Sequence, residues 1–299
     1  MSSRKIIYLV NPISGTKEKD SLTRLIQDKT IARRLHFEIL PTVASGDYTF
    51  LKEKIQEENI TDVVICGGDG SVSQVVHSLA DTNVHFGIIP MGSGNGLALA
   101  ARIPKPPAKA LDTIFAGHTK KTDAFMVNEQ FACMLCGLGF DVAVAHEFAL
   151  QPRRGLKTYA GLTTRQFFSA SAYQFRIQAN NIDFEAQAYF VSVANSNQFG
   201  NNFTIAPQAS LCDGLLDVVI VKNSMKPMLL WNVFQQIMTG KIKKIENSLQ
   251  SAVIYFQTDK VKIINMGQAP VHIDGEPRET IDELNVTVLP QHFDLIQPL

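Results

Sequence analysis

Val63-Val64-Ile65-Cys66-Gly67-Gly68-Asp69-Gly70-Ser71 runs a short apolar segment into a cluster of glycines. A strand that ends in glycines and turns straight into a helix N-terminus is a phosphate site: glycine lets the backbone approach an anion, N–H groups point at it, and the helix dipole favours negative charge. Asp69 is the odd member, since a bare carboxylate would repel a phosphate, and an acid here points to metal handling or proton transfer. Behind it Val72, Val75, Val76 and Leu79 fall at i, i+3, i+4 and i+7, one face of a helix, and Ser71 with Gln74 reads as a capping box at its start.

The same strand-then-helix unit recurs on either side. Residues 6–10 read as a buried strand ending at Asn11-Pro12, a helical stretch follows to about Arg34, residues 37–40 read as the next strand and 47–57 as a helix. A fourth strand, 86–89, enters Pro90-Met91-Gly92-Ser93-Gly94-Asn95-Gly96, and 97–102 resumes a helix. Such alternation predicts a parallel α/β sheet, with both glycine-rich turns at its carboxyl edge, where open α/β sheets bind ligands. Asn11-Pro12-Ile13-Ser14-Gly15 and Thr42 end strands at that same edge; alone, each is ordinary strand-ending chemistry. Neither G-x-x-x-x-G-K-[ST] nor G-x-G-x-x-G occurs, so the site is neither a P-loop nor a dinucleotide fingerprint.

After Pro104-Lys105-Pro106-Pro107 and a short helix near 108–115 the texture changes. Strand-like segments at 130–138, 172–179, 184–194, 215–221, 252–257, 260–265, 270–274 and 284–289 follow without regular crossover helices, which predicts a mostly antiparallel, β-rich second domain. One apolar helix, 228–242, interrupts them.

Across 299 residues Lys and Arg number 28 and Asp and Glu 28, so no global field advertises nucleic acid or an anionic surface. The four cysteines lie mostly in apolar runs, and no apolar h-region follows the opening Met-Ser-Ser-Arg-Lys; the expectation is a reduced, cytoplasmic protein without signal peptide or transmembrane segment. Peripheral contact with the inner membrane face stays open. Cys133-Met134-Leu135-Cys136 has C-x-x-C spacing, but nothing completes a zinc site, and in a strand the two side chains would face opposite ways. Buried core is the better reading. No histidine stands in a nucleophile motif, and His77 falls on a solvated helix face.

Three motifs in the second half carry chemistry beside a plain alternative. Arg153-Arg154-Gly155-Leu156-Lys157 is a solvated basic loop or a phosphate clamp. Asp213-Gly214-Leu215-Leu216-Asp217 is a turn opening a strand, or a carboxylate and backbone carbonyls around a hard metal. Asp274-Gly275-Glu276-Pro277 has the same ambiguity, and its glycine would let Glu276 project from a sharp turn, as suits a general base.

In order and spacing, Asn11-Pro12-x-Ser14-Gly15, Gly67-Gly68-Asp69-Gly70-Ser71, Gly92-Ser93-Gly94-Asn95, Asp213-Gly214-Leu215-Leu216-Asp217 and Asp274-Gly275-Glu276-Pro277 resemble the lipid kinases related to diacylglycerol kinase and sphingosine kinase, distant relatives of NAD kinase. The resemblance spans nearly the whole chain. It implies a nucleotide-binding α/β domain over 1–125, rejoined by the chain end from about 288 to 299, and a β-rich lipid domain over 126–287, with ATP in the cleft between them. It further implies that Asn11, Pro12, Ser14, Gly15, Thr42, Gly67, Gly68, Asp69, Gly70, Ser71, Ser93, Gly94 and Asn95 bind ATP, with Arg153 and Arg154 reaching its phosphates. A Mg²⁺ would be held by Ser210, Asp213 and Leu215. Glu276 or Asp69 would be the catalytic base, and Asp141 and Asp123 would meet the acceptor.

Gly96 departs from the pattern: diacylglycerol kinases resemble one another in an Asp there, whereas Gly92-Ser93-Gly94-Asn95-Gly96-Leu97-Ala98 is closer to the G-S-G-N-A-L-A of sphingosine and ceramide kinases. The resemblance therefore implies an ATP-dependent kinase acting on diacylglycerol, a sphingoid base or a related long-chain alcohol at a membrane surface, with a tilt away from strict diacylglycerol chemistry. The alternatives are a soluble-substrate kinase of the NAD kinase or phosphofructokinase type, and a catalytically silent lipid- or nucleotide-binding regulator. No nucleic acid is expected as partner, and a homodimer stays open.

Overall fold

Ile6, Ile7, Tyr8, Leu9 and Val10 are all buried, as befits a strand covered on both faces, and they form β1 (Lys5–Val10) in the interior of a parallel sheet. The computed structural model describes residues 4–11, 16–92, 94–139, 171–200, 203–204, 206–223 and 253–299. The chain divides into two units, Met1–Thr122 with Gln291–Leu299, and Asp123–Pro290.

In the first unit β1 lies between β2 (His36–Pro41) and β3 (Asp62–Gly67), and β3 pairs onward with β4 (His85–Pro90), all parallel. Around the sheet come α1 (Thr16–Ala32), α2 (Leu51–Glu58), α3 (Asp69–Leu79), α4 (Gly96–Ala100) and α5 (Pro107–Ala116). α1 turns Leu22, Ile26 and Thr30 inward at a spacing of four, and α3 buries Val72, Val75, Val76 and Leu79 as its periodicity requires. At the amino edge of the sheet, fully buried Asp62 takes Arg4 Nη2 at 2.8 Å and Nε at 3.0 Å, while the same guanidinium reaches the carbonyls of Ile114 and Phe115 at the end of α5. That edge is structural.

The second unit is antiparallel throughout its described pairings. It contains β5 (Thr119–Val127, whose first four residues belong to the first unit), β6 (Gln130–Ala132), β7 (Leu135–Gly139), β8 (Tyr173–Ala179), β9 (Ile182–Ala194), β10 (Gln198–Gly200), β11 (Phe203–Thr204), β12 (Leu216–Lys222), β13 (Val253–Thr258), β14 (Lys260–Ile264), β15 (Val271–Ile273), β16 (Glu276–Arg278) and β17 (Glu283–Ile296). β9 pairs with β8 along its first half and with β7 and β12 along its second. The core is filled from alternate positions, among them Leu138, Val191, Val193, Val218, Ile220 and Phe256. The end of β17 belongs to the first unit, where Asp294 and Leu295 pair in parallel with His85 and Phe86 of β4.

Several boundaries differ from the sequence reading. The helix expected over 47–57 starts at Leu51, because the Asp47 carboxylate takes the Thr49 N–H (2.9 Å) and hydroxyl (2.7 Å) and sets a turn first. α3 starts at Asp69 with Gly68 as its N-cap, so Ser71 and Gln74 are not a capping box; the helix is entered without a side-chain cap. The segment 130–138 is two strands broken at Cys133 and Met134, and Cys133 is in neither, though both C-x-x-C cysteines are buried. Strand 284–289 runs on to Ile296, and β5 is a strand that the sequence pattern does not predict. The 228–242 helix, Pro12, Ser14, Gly15, Ser93, Asp141, Arg153 and Arg154 lie outside the described residues.

Candidate functional site

The parallel registers bring four strand ends level. Val10 is opposite Pro41 and Cys66, and Gly67 opposite Pro90, so Thr42, Asn11, Gly67 and Pro90 stand in a row along the carboxyl edge. Backbone bonds tie the row: Thr42 N–H donates to Val10 O (3.1 Å), Asn11 N–H to Cys66 O (3.4 Å) and Met91 N–H to Gly67 O (2.9 Å). The chain leaves β1 for β2 on one side and β3 for β4 on the other, which makes the gap between β1 and β3 the switch point where such sheets take ligands. Asn11 and the Gly67-Gly68 turn flank that gap.

The two glycine turns touch through their backbones. A Cβ on Gly92 would lie 2.5 Å from Gly68 Cα, and one on Gly68 would lie 3.0 Å from Gly92 Cα. Neither contact can be relieved by rotating a side chain. Asn95, in the left-handed region at φ 54°, completes the second turn by taking the Gly92 N–H on Oδ1 (2.8 Å) and giving Nδ2 to the Gly92 carbonyl (2.6 Å). Asp69 then bridges the turns: its carboxylate accepts Gly96 N–H (3.0 Å) and Leu97 N–H (3.3 Å), capping α4. The acid that looked out of place among glycines therefore fixes one glycine turn against the other. Gly92→Ala is expected to cost about 1–3 kcal/mol, since the added methyl must drive the two turns apart. Thermal unfolding checks it; a variant as stable as the native chain would contradict the close approach.

In the second unit the acids sort into buried holders and exposed tips. Asp123 is fully buried; its Oδ2 accepts Gly214 N–H at 2.7 Å and its own N–H donates to Leu211 O at 2.7 Å. It thus clamps the turn that carries Asp213, where Gly214 sits at φ 72°. Asp213 is exposed, with Oδ1 accepting the Leu215 N–H (3.1 Å). Its carboxylate and the carbonyls of Ser210 and Leu215, the ligands that the resemblance implies, are all oxygen donors, the chemistry that would suit a hard divalent cation. Among the described residues no three acidic, His or Cys side chains gather into a metal centre.

Asp217, at the other end of the same motif, is fully buried on β12, where it accepts from the Tyr255 hydroxyl and lies 3.3 Å from Gln257 Nε2. Burial pushes its carboxyl up to about 7, with the Asp213 charge adding to the rise. The unfolded chain ionises this group near its ordinary 3.8, whereas the folded chain keeps the proton to about 7, so stability falls as pH rises through that window. In divalent-free buffer, native protein is expected to lose on the order of 3 kcal/mol between pH 4 and pH 7 relative to Asp217→Asn. Parallel guanidinium midpoints for the two proteins across that window would contradict the assignment.

Glu276 opens β16 after a two-residue hairpin whose central residues both have positive φ, Asp274 at 49° and Gly275 at 82°. That is the tight hairpin geometry in which Asp-Gly is favoured. The turn is pinned from below: the Asp274 carboxylate takes Cys133 N–H on Oδ2 (3.0 Å) and Met134 and Leu135 N–H on Oδ1 (2.9 and 3.1 Å). Those three amides are the break between β6 and β7. Glu276 itself is exposed and meets Arg278 Nη2 at 3.0 Å.

The first unit thus gathers Asn11, Thr42, Gly67, Gly68, Gly70, Ser71 and Asp69 with the Gly94 and Asn95 turn; the second gathers Asp123 with Asp213, and carries Glu276 on a separate hairpin. Asp274 as the hairpin's anchor and Asn195, described below, were missed. The only sequence signals were an Asp-Gly turn and an Asn just past a strand.

Residues 5–127 match the family profile of the diacylglycerol kinase catalytic domain, and residues 135–297 that of the YegS C-terminal NAD kinase beta sandwich-like domain. A diacylglycerol kinase of Staphylococcus carnosus (strain TM300) is 26% identical over 98% of this chain and 94% of its own length. One from Staphylococcus aureus (strain MRSA252) is 27% identical over 98% and 92%. Among solved structures, two described as putative diacylglycerol kinases from Bacillus anthracis str. Sterne superpose with TM-scores of 0.80 and 0.79 at 22% and 23% identity, covering all of this chain and 98% of theirs. At that identity the superpositions speak for the fold.

Proposed function

We propose that this chain, which belongs to the diacylglycerol kinase family, transfers the γ-phosphate of ATP to the hydroxyl of a membrane lipid. The observation that carries the reading is the backbone contact of Gly68 with Gly92 beside the β1–β3 switch point, which sets two glycine turns and the N-terminus of α3 together at one sheet edge. Phosphates bound there would be held by main-chain dipoles, with Asn11, Thr42 and Ser71 adding polar contacts.

Positioning and charge neutralisation do most of the work in phosphoryl transfer. Bound Mg²⁺, held by Ser210, Asp213 and Leu215, would supply positive charge against the transferring group. Glu276 is our choice of base for the acceptor hydroxyl, because its carboxylate is exposed on a rigid hairpin. Both oxygens of Asp69 already accept backbone amides, so its part is to hold the glycine turns in register. Asp123 acts through the turn of Asp213 rather than on the lipid.

Diacylglycerol is the acceptor we propose, because relatives covering 98% of the chain carry that name. A sphingoid base is the second reading, favoured by Gly96 at the first position of α4. Labelled ATP offered with diacylglycerol, sphingosine, ceramide, phosphatidylglycerol, a polyprenol and NAD separates these readings. We expect phosphatidic acid as the main product; phosphorylation of NAD alone would overturn the lipid reading, and tight ATP binding with no turnover would favour a silent regulator.

A further inference from the structure

The two loops on which the kinase reading depends, the Asp213 turn and the Glu276 hairpin, are held by buried acids that share one neighbour. Asn195 follows the last residue of β9 and is fully buried. Its Nδ2 donates one hydrogen to the carbonyl of Asp123 and the other to the carbonyl of Cys133, both at 2.9 Å and across 72 and 62 residues of chain. With both amide hydrogens given to carbonyls, the flipped amide would set its oxygen against two oxygens, so the orientation is fixed. Its backbone N–H adds a third bond, to Met134 O at 2.8 Å.

From Asn195 a continuous path runs each way within the second unit. Through Asp123 it reaches Gly214, and so the turn of Asp213. Through Cys133 and its neighbours it reaches Asp274, whose N–H returns to Leu135 O at 2.8 Å, and so Gly275 and Glu276. Among the described residues Asn195 Oδ1 is buried without a hydrogen-bond partner.

Resting on the kinase reading, we propose that Asn195 is a positioning residue that clasps the Asp213 turn and the Glu276 hairpin into one frame. It touches neither nucleotide nor lipid. Its removal lets the two loops shift independently, and misplacement by a fraction of an ångström lowers the rate of the chemical step far more than it lowers binding. ATP affinity is unaffected, because the glycine turns belong to the first unit, whereas Asn195 and both loops belong to the second.

Asn195→Ser keeps one donor but cannot span both carbonyls, and Val191→Ala, a core truncation on the same strand, is the control for stability loss alone. For Asn195→Ser we expect kcat for lipid phosphorylation to fall about 10- to 100-fold with KM for ATP unchanged. The amides of Met134, Leu135 and Gly214 should exchange faster together, by about tenfold or more, while Val191→Ala leaves their ratio as in the native chain. Should Asn195→Ser not fold, native-state exchange in mild guanidinium decides: one shared opening step for these amides supports the clasp, and separate steps overturn it. Faster exchange at only one loop, or an unchanged kcat, also overturns it. A native chain that phosphorylates no lipid sinks the kinase reading instead, and the exchange pattern still judges the clasp.

Discussion

Asp274→Ala is expected to lower the stability of the second unit by about 3–5 kcal/mol and to take phosphoryl transfer with it. Three consecutive amides, those of Cys133, Met134 and Leu135, lose the carboxylate that accepts them. A stranded buried amide costs about 1–3 kcal/mol, and hydrogen bonds to a charged acceptor are the stronger kind, although relaxation keeps three such losses from adding in full. Asp274 also stands at φ 49°, a left-handed conformation that Asp adopts readily in such a turn and Ala does not. Without the carboxylate the hairpin that carries Glu276 loses its side-chain anchor. Chemical denaturation of the second unit measures the loss; a cost below about 1 kcal/mol would mean that the three amides find other partners.

Glu276→Gln should behave in the opposite way, losing activity and keeping the fold. Its side chain is exposed and its one described partner is Arg278, a surface pair worth at most about 1 kcal/mol, so the unfolding midpoint should hardly move. As general base it should account for about 10²–10⁴ in kcat. Asp69→Asn is the useful contrast, because its carboxylate caps α4: that variant should lose about 1 kcal/mol of stability together with activity. Stability and turnover measured on the same preparations separate the two acids.

The first unit was legible because its signals are local. Continuous apolar runs such as Ile6 to Val10 and the glycines that end β3 and β4 say parallel strand and ligand edge without reference to anything distant. What escaped depends on contacts that sequence spacing does not encode. The strand read over 130–138 has a plausible apolar pattern, but its amides turn onto a carboxylate 139–141 residues away. β5 escaped because it begins Thr119-Lys120-Lys121-Thr122, polar enough to pass for a loop. Asp123 read as an acid for the acceptor, and only its place beneath Gly214 gives it a holding role. Asp69 was noticed for its charge, whereas the bond that matters joins two turns 27 residues apart.

The most direct test of the account is transfer of label from ATP to diacylglycerol in vesicles, run side by side on the native chain and Glu276→Gln with their unfolding midpoints matched. The account predicts phosphatidic acid from the native chain and at least about 100-fold less from the variant. Equal product from both, or none from the native chain with any lipid, would contradict it.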